Sequence, residues 1–319
     1  MDVLYQNGFL ISKALQILRF LLTWQRIFSH NFMAREVTIG LVQMHSGEDI
    51  DANLKNAEKG IWEAAQKGAQ IIALPELFRA PYFCQTKDEK FFALTEFIPG
   101  PTFDALAALA KELEVVVITS IYEKTLEGKR FNTAVVIDAD GTLVGKYRKI
   151  HIPDDPEHGY GETFYFDAGD LGVGVFQTRY AKVAPQICYD QWFPEGARIA
   201  GQNGAEILFY PTAIGWPDAQ REEWLNKAEN TMWKTTQISH GIDNNCFVAA
   251  VDQVQLYGTL NFWGSSFVSD PYGQIVAEAS TDKEEVLIAK CDLDLIQRKT
   301  KDWPFHSDDA RVVDKMKKL

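Results

Sequence analysis

The sequence predicts an α/β fold in which two β-sheets pack together and helices cover their outer faces. Three observations carry this expectation. Apolar runs of strand character alternate with helix-like stretches through the first half, and hairpins follow. Residues 53–67 place Leu54, Ala57, Ile61, Ala64 and Ala65 on one helical face, with Lys55, Glu58 and Lys59 elsewhere. The chain has 319 residues, 46% of them hydrophobic, enough to bury one large core.

Taken in order, the first strand is expected over 37–44 and the first helix over 53–67. The second strand, 69–74, ends in Ile71-Ile72-Ala73-Leu74 and stops at Pro75. A helix over 102–113 and a strand over 115–122 follow. The strand at 132–137 opens a hairpin, because Asp140-Gly141 is a strong turn signal. Strand 181–187 leads into Cys188, and helix 195–203 comes after it. Strand 205–210, a long helix over 222–240, and strands at 246–251, 264–269 and 285–291 complete the pattern. No repeat, low-complexity tract or linker interrupts residues 33–319, which read as a single domain.

Residues 1–32 read as an extension outside that core. The stretch Leu15 to Trp24 is mostly apolar but carries Arg19, and it is too short to span a bilayer. A convincing small-residue cleavage site for secretion is lacking, which leaves a targeting peptide as the rival reading. The net charge of −12 argues against a nucleic-acid partner and mildly favours a cationic substrate. No membrane partner is expected. The 4 cysteines are widely spaced and form no Cys/His ligand cluster, so neither a metal nor a disulfide framework is anticipated. A reducing, cytoplasmic setting suits free thiols.

Cys188 is the most informative residue. It closes the run Lys182-Val183-Ala184-Pro185-Gln186-Ile187 and opens a polar, aromatic turn before a helix-like stretch. A cysteine at such a bend is displayed outward, and helix N–H groups favour its thiolate. The bland alternative is a small buried core cysteine. Glu76 lies just past a strand end, at the edge where α/β folds place their chemistry, and can serve as a base; its bland reading is a cap or surface residue. Lys149, in Tyr147-Arg148-Lys149-Ile150-His151, follows the hairpin, where basic residues usually mark a solvated edge.

Together these segments resemble the carbon–nitrogen hydrolase, or nitrilase, superfamily. Leu74-Pro75-Glu76-Leu77-Phe78 matches the block of the base, Lys149 that of the lysine, and Cys188 in Ile187-Cys188-Tyr189-Asp190 that of the nucleophile. Glu162-Thr163-Phe164-Tyr165-Phe166 is similar to the segment with the family's second glutamate, and residues 262–271 to a C-terminal signature. The blocks fall in family order over about residues 36–309. Within the superfamily the chain most resembles the branch of N-carbamoylputrescine amidohydrolases, through residues 82–85, 151–156, 210–216 and 303–305. Asp252 departs from it, standing where an asparagine is common.

The resemblance implies a four-layer α-β-β-α sandwich, a catalytic triad of Glu76, Lys149 and Cys188, and no cofactor or metal. It implies thiol-dependent hydrolysis of a linear carbamoyl or amide C–N bond. The substrate expected is N-carbamoylputrescine, whose cleavage yields the polyamine putrescine. β-Ureidopropionase, N-carbamoyl amino-acid amidohydrolase and ω-amidase activities are the alternatives, and a non-catalytic binding member the remote one. Glu162 is expected to hold Lys149 charged, and the backbone N–H of Tyr189 to join it in stabilising an oxyanion, an effect of roughly 3–4 kcal/mol per donor. A substrate ammonium calls for a carboxylate or an aromatic face. Asp155 and Glu195, with Asp154, Asp218 and Glu223, are the acidic candidates. Tyr82, Phe83, Trp192 and Trp216 are the candidate walls. His151 is read as orienting its loop, and His240 as packing or a helix C-cap. A homo-oligomer built on dimers is expected, with residues 195–203 and 303–319 as contact elements.

Overall fold

The structure, a computed structural model, describes residues 35–217 and 222–305. The expected extension 1–32, Asp218 and residues 306–319 lie outside the described residues. The first sheet is built from β1 (Glu36–Gln43), β2 (Ile71–Ala73), β3 (Val116–Lys124), β4 (Arg130–Ile137), β5 (Leu143–Arg148) and the late strand β17 (Glu285–Asp292), which pairs antiparallel with β1. Two short strands, β6 (Asp154–Asp155) and β7 (Tyr160–Gly161), pair separately. The second sheet contains β8 (Phe176–Gln177), β9 (Lys182–Pro185), β10 (Ile207–Pro211), β12 (Phe247–Val251), β15 (Phe267–Ser269) and β16 (Ile275–Glu278). A small third sheet joins β11 (Gly215–Pro217), β13 (Val254–Tyr257) and β14 (Leu260–Trp263). The helices are α1 (Ile50–Gln66), α2 (Pro101–Leu113), α3 (Pro194–Gln202), α4 (Glu223–Asn244) and α5 (Asp294–Asp302).

Side-chain alternation builds the layers. Ile39, Leu41, Ile71, Ala73, Val116 and Ile118 meet Val183, Ile207, Phe209, Phe247 and Ala249 between the two large sheets. Their neighbours Val42, Ile72, Leu74 and Val117 pack outward on Ala57, Ile61 and Ala64 of α1 and on Phe103 and Leu106 of α2. On the other side Ala184, Leu208 and Val248 pack on Ala197 and Ala200 of α3 and Trp233 of α4. The result is an α-β-β-α sandwich. Because the central strands are buried on both faces, they read as near-continuous apolar runs. The contact of α1 with the sheet demands a glycine: a Cβ on Gly60 would lie 2.4 Å from Val42 Cγ1.

Several boundaries differ from the sequence reading. The first helix begins earlier, at Ile50, because the Asp49 side chain accepts from the N–H groups of Asp51 and Ala52, both at 3.0 Å. The long helix runs past His240 to Asn244, and Asn245 ends it with φ of 55° in the left-handed region. The strand expected from 264 starts only at Phe267, since Gly264 and Ser265 are both left-handed. The β13–β14 hairpin was not anticipated; the glycine at its turn, Gly258, is the signal that pointed to it.

The basic strand after the first hairpin is an edge strand, but it is not simply solvated. Glu123 on β3 accepts from Lys146 Nζ at 2.6 Å, Arg148 Nε at 2.9 Å and Thr133 Oγ1 at 2.6 Å. Burial alone pushes the Glu123 carboxyl up, yet these donors overcome it and hold its pKa at about 2. The network braces β5 just before Lys149 leaves it.

Stability contributed by this network is full above the ordinary glutamate pKa of 4.5 and is lost as pH falls from there through about 2. Glu123→Gln is expected to cost about 1.5–3 kcal/mol at neutral pH. It should also flatten the dependence of stability on pH in that acid window. Urea unfolding at neutral and acidic pH measures both; an unchanged pH slope would show that β5 is held by something else.

Candidate active site

Four segments that follow strands converge in the interior. Glu76 lies three residues beyond β2 and is fully buried. Its backbone is pinned on both sides: its N–H donates to Thr212 O at 3.3 Å, and its carbonyl accepts from Gln253 Nε2 at 3.0 Å. Lys149 follows β5 directly and is also fully buried. Its ammonium donates to Glu76 Oε1 at 2.8 Å and to both oxygens of Glu162, at 2.9 and 2.7 Å. Glu162 sits in a 3-10 turn after β7, with no exposed surface. Cys188 opens a 3-10 turn, Cys188–Trp192, with φ of 43°, and its Sγ faces Ala213 O at 3.8 Å. A non-glycine residue in that backbone region is strained, and such strain clusters at functional sites.

The electrostatics follow from burial. Desolvation opposes the charged form of Lys149, but the carboxylates of Glu162 and Glu76 more than offset it, and its pKa stands well above the ordinary value. Glu162 is pushed up to about 7, chiefly by burial, with Lys149 opposing and Glu76 adding to the shift. The Cys188 thiol is also pushed well up, by burial first and then by Glu76, while Lys149 partly opposes. This corrects the expectation of a helix-stabilised thiolate. The helix α3 starts only at Pro194, and burial disfavours the thiolate of Cys188. A base must therefore take its proton. Among the described residues Glu76 Oε2 has no hydrogen-bond partner, whereas Oε1 receives Lys149 and, at 2.7 Å, Asn132 Nδ2.

Asp190 is a positioning residue that the sequence reading missed. Asp190 accepts from Ile187 N–H at 3.0 Å and Tyr147 O–H at 2.8 Å through Oδ2, and from His151 N–H at 3.0 Å through Oδ1. It thus ties the cysteine turn to the segment that delivers Lys149. His151 pairs with Asp190 Oδ1 at 2.8 Å and stacks on Phe193 at 3.9 Å, so it does orient its loop. Of the two readings of His240 the structure shows packing: it is buried near the C-terminal end of α4, and its Nε2 lies 2.9 Å from Gln191 O. Burial lowers its pKa, so a neutral ring donates to that carbonyl. Asp252 Oδ1 accepts from the N–H groups of Ile214 at 3.0 Å and Gln253 at 2.8 Å, and holds the wall beside the thiol. Burial drives the Asp252 carboxyl well above the usual range.

A cleft of about 450 Å³ adjoins this cluster, lined among others by Tyr160, Trp192, Ile214, Glu229, Met232 and Trp263. Trp192 lies in it as expected. Trp216 packs behind it, 5.4 Å from Trp263, with its indole N–H donated to Asn226 O at 3.0 Å. The ring of Tyr189 is exposed and packs edge-on to Phe193. Tyr82 is fully buried rather than a wall, and its hydroxyl donates to Glu162 Oε1 at 2.7 Å. Phe83 belongs to a core of aromatic rings, stacked on Phe91 at 5.2 Å and on Tyr122 at 5.3 Å. Asp155 is exposed and paired with His158 at 2.8 Å, and Asp154 accepts from Thr163. Glu195 is exposed on the first turn of α3, and Glu223 on that of α4. None of these four acids lines the cleft. The acid that does, Glu229, looked from the sequence like one more polar residue on a helix.

The profile of the carbon–nitrogen hydrolase family matches residues 38–301. The N-carbamoylputrescine amidase of Solanum lycopersicum is 41% identical over 283 residues, which cover 86% of this chain and 92% of that protein. The citrullinase of Francisella tularensis is 36% identical over 278 residues, 85% and 94% of the two chains. The crystal structure of a carbon–nitrogen hydrolase from Helicobacter pylori G27 superposes with a TM-score of 0.81 at 36% identity, covering 86% of this chain and 95% of that one.

The neutral state of Asp252 has a thermodynamic signature. Its raised folded pKa means that the native state binds a proton the unfolded chain releases. The contribution of Asp252 to wild-type stability therefore declines as pH rises above the unfolded carboxyl value. Asp252→Asn is expected to unfold at a higher temperature than wild type at pH 8, with a smaller gain at pH 5. Scanning calorimetry at the two pH values decides; a gain that does not grow with pH would mean the carboxyl is ionised in the fold.

Proposed function

The chain belongs to the carbon–nitrogen hydrolase family, and from that premise we propose that it hydrolyses N-carbamoylputrescine to putrescine, carbon dioxide and ammonia, with Cys188 as nucleophile. The observation that carries the reading is the buried cluster of Glu76, Lys149 and Glu162 beside a protonated thiol. Amidases for this substrate, 40–42% identical over 86% of the chain, support the choice of substrate.

The chemistry runs as a double displacement. Cys188 Sγ attacks the carbamoyl carbon as Glu76 takes the thiol proton. The charge that develops on oxygen is met by the field of Lys149 and by the backbone N–H of Tyr189. The three ammonium protons of Lys149 already point to carboxylate oxygens, so its contribution in this arrangement is chiefly electrostatic. Glu76 returns the proton to the terminal nitrogen, the C–N bond breaks, and ammonia leaves a carbamoyl thioester. Water, deprotonated by Glu76, attacks that thioester and restores the thiol. The released carbamic acid loses carbon dioxide to give the amine. Glu162 keeps Lys149 charged and in place.

Four free cysteines, one of them in the reaction, support a reducing, cytoplasmic setting. No helix among the described residues is long and apolar enough to cross a membrane. A homo-oligomer built on dimers is part of the same proposal, and Ile199, 43% exposed on α3, supports a contact through that helix.

Ammonia release from a panel tests the substrate. N-carbamoylputrescine should be turned over with a higher kcat/KM than N-carbamoyl-β-alanine, citrulline or α-ketoglutaramate. Cys188→Ala should abolish turnover without loss of the folded state, and Cys188→Ser should keep less than about a tenth of it. Equal or faster cleavage of a carboxylated substrate would remove the putrescine assignment. In sedimentation, species larger than the 36.1 kDa protomer are expected at micromolar concentration. A monomer alone would rule out the oligomer.

A further inference from the structure

The cleft beside Cys188 has a defined polarity. At its inner end Ile214 follows Ala213, whose carbonyl faces the thiol, and the Tyr160 hydroxyl is fixed on the backbone of Gly215, 3.1 Å from its N–H and its carbonyl. Trp192, the last residue of the cysteine turn, forms one side, and Trp263 another. The helix α4 contributes Met232 and Glu229 to the lining. Glu229 is the one carboxylate lining this cleft among the described residues.

The position of Glu229 is held with respect to the nucleophile. Gln191, three residues after Cys188, accepts the indole N–H of Trp233 at 2.8 Å. One helical turn separates Trp233 from Glu229, so both project from the same side of α4. The neighbouring Asn230 is buried and donates to Ser265 Oγ at 3.2 Å, while Asn226 O, one turn earlier, receives the Trp216 indole. The helix is therefore clamped on either side of the carboxylate. A carboxylate among aromatic walls, partly shielded from water, matches an alkyl ammonium: the charge meets the acid, and the methylene chain meets the rings.

We propose that Glu229 determines substrate specificity by receiving the terminal ammonium of an ω-carbamoyl amine whose carbamoyl group lies at Cys188. This deepens the proposed function and rests on it. Glu229 takes no part in bond breaking. Its contact with the ammonium is similar in ground and transition states, so its loss raises KM far more than it lowers kcat. A carboxylated substrate would instead set like charges against each other across the cleft.

The test compares wild type with Glu229→Gln and Glu229→Asp on three ureas of matched chain length: N-carbamoylputrescine, the uncharged N-butylurea and the anionic 4-ureidobutyrate. Glu229→Gln is expected to raise KM for N-carbamoylputrescine about tenfold or more with kcat within about threefold. The loss should be confined to that substrate, so the preference over N-butylurea collapses. Glu229→Asp should recover part of the preference, and discrimination against 4-ureidobutyrate should weaken in Glu229→Gln. A preference for the ammonium substrate that survives in Glu229→Gln overturns the inference, as does an equal loss on all three ureas, which reports structural damage. Failure of the substrate reading itself shows separately, in wild type alone, as the absence of any preference for N-carbamoylputrescine over N-butylurea.

Discussion

The structure is organised around one costly interaction, the ammonium of Lys149 held between the carboxylates of Glu76 and Glu162 with no exposed surface on any of the three. Removing each ion from water costs several kcal/mol, and attraction offsets this only when the geometry is good and the remaining lone pairs are satisfied. Here the lysine donates to three carboxylate oxygens, Tyr82 adds a hydrogen bond to Glu162, and Asn132 adds one to Glu76. Two negative charges still face one positive charge, and with burial this keeps a proton close to Glu162 at neutral pH. The arrangement is poor as a stabilising device and well suited to moving protons.

A second constraint is the strained turn at Cys188. A left-handed cysteine persists only if its surroundings over-determine it. They do so from two directions: Asp190 binds the turn to β5 and its loop, while Gln191 and His240 bind it to α4. The thiol is thereby presented in one place, in a dry environment that keeps it protonated until a base acts. Placement of this kind costs little reorganisation at the moment of reaction.

The cleft next to the site is lined partly by the elements that carry the cluster and partly by others. Glu76, Lys149 and the thiol follow strands of the two large sheets, and Glu162 follows β7 of the small β6–β7 pair. Trp192 of the cysteine turn and Tyr160 of β7 line the adjoining cleft together with Gly215 and Pro217 of β11, Trp263 of β14, and Glu229 and Met232 of α4. Under the proposed function, changes on α4 and β11 alter which substrate is accepted while Glu76, Lys149 and Glu162 stay in place. Relatives named for N-carbamoylputrescine and for citrulline match the chain at similar coverage.

Much of this was legible in the sequence. Apolar runs at strand spacing, the amphipathic face of α1, the Asp-Gly hairpin and the blocks around Glu76, Lys149, Glu162 and Cys188 are local patterns, and periodicity or short motifs encode them directly. Only the tertiary structure decided which side chains meet. Glu76 and Lys149 are 73 positions apart, and their contact depends on the register of β2, β3, β4 and β5. The ties made by Asp190 and Asp252, and the presence of Glu229 in the cleft instead of Asp155 or Glu195, depend likewise on how whole elements pack. A buried carboxylate and a solvated one look alike along a chain. Burial, which sets both the charge of Asp252 and the protonation of Cys188, comes into being only when the sheets and helices close over them.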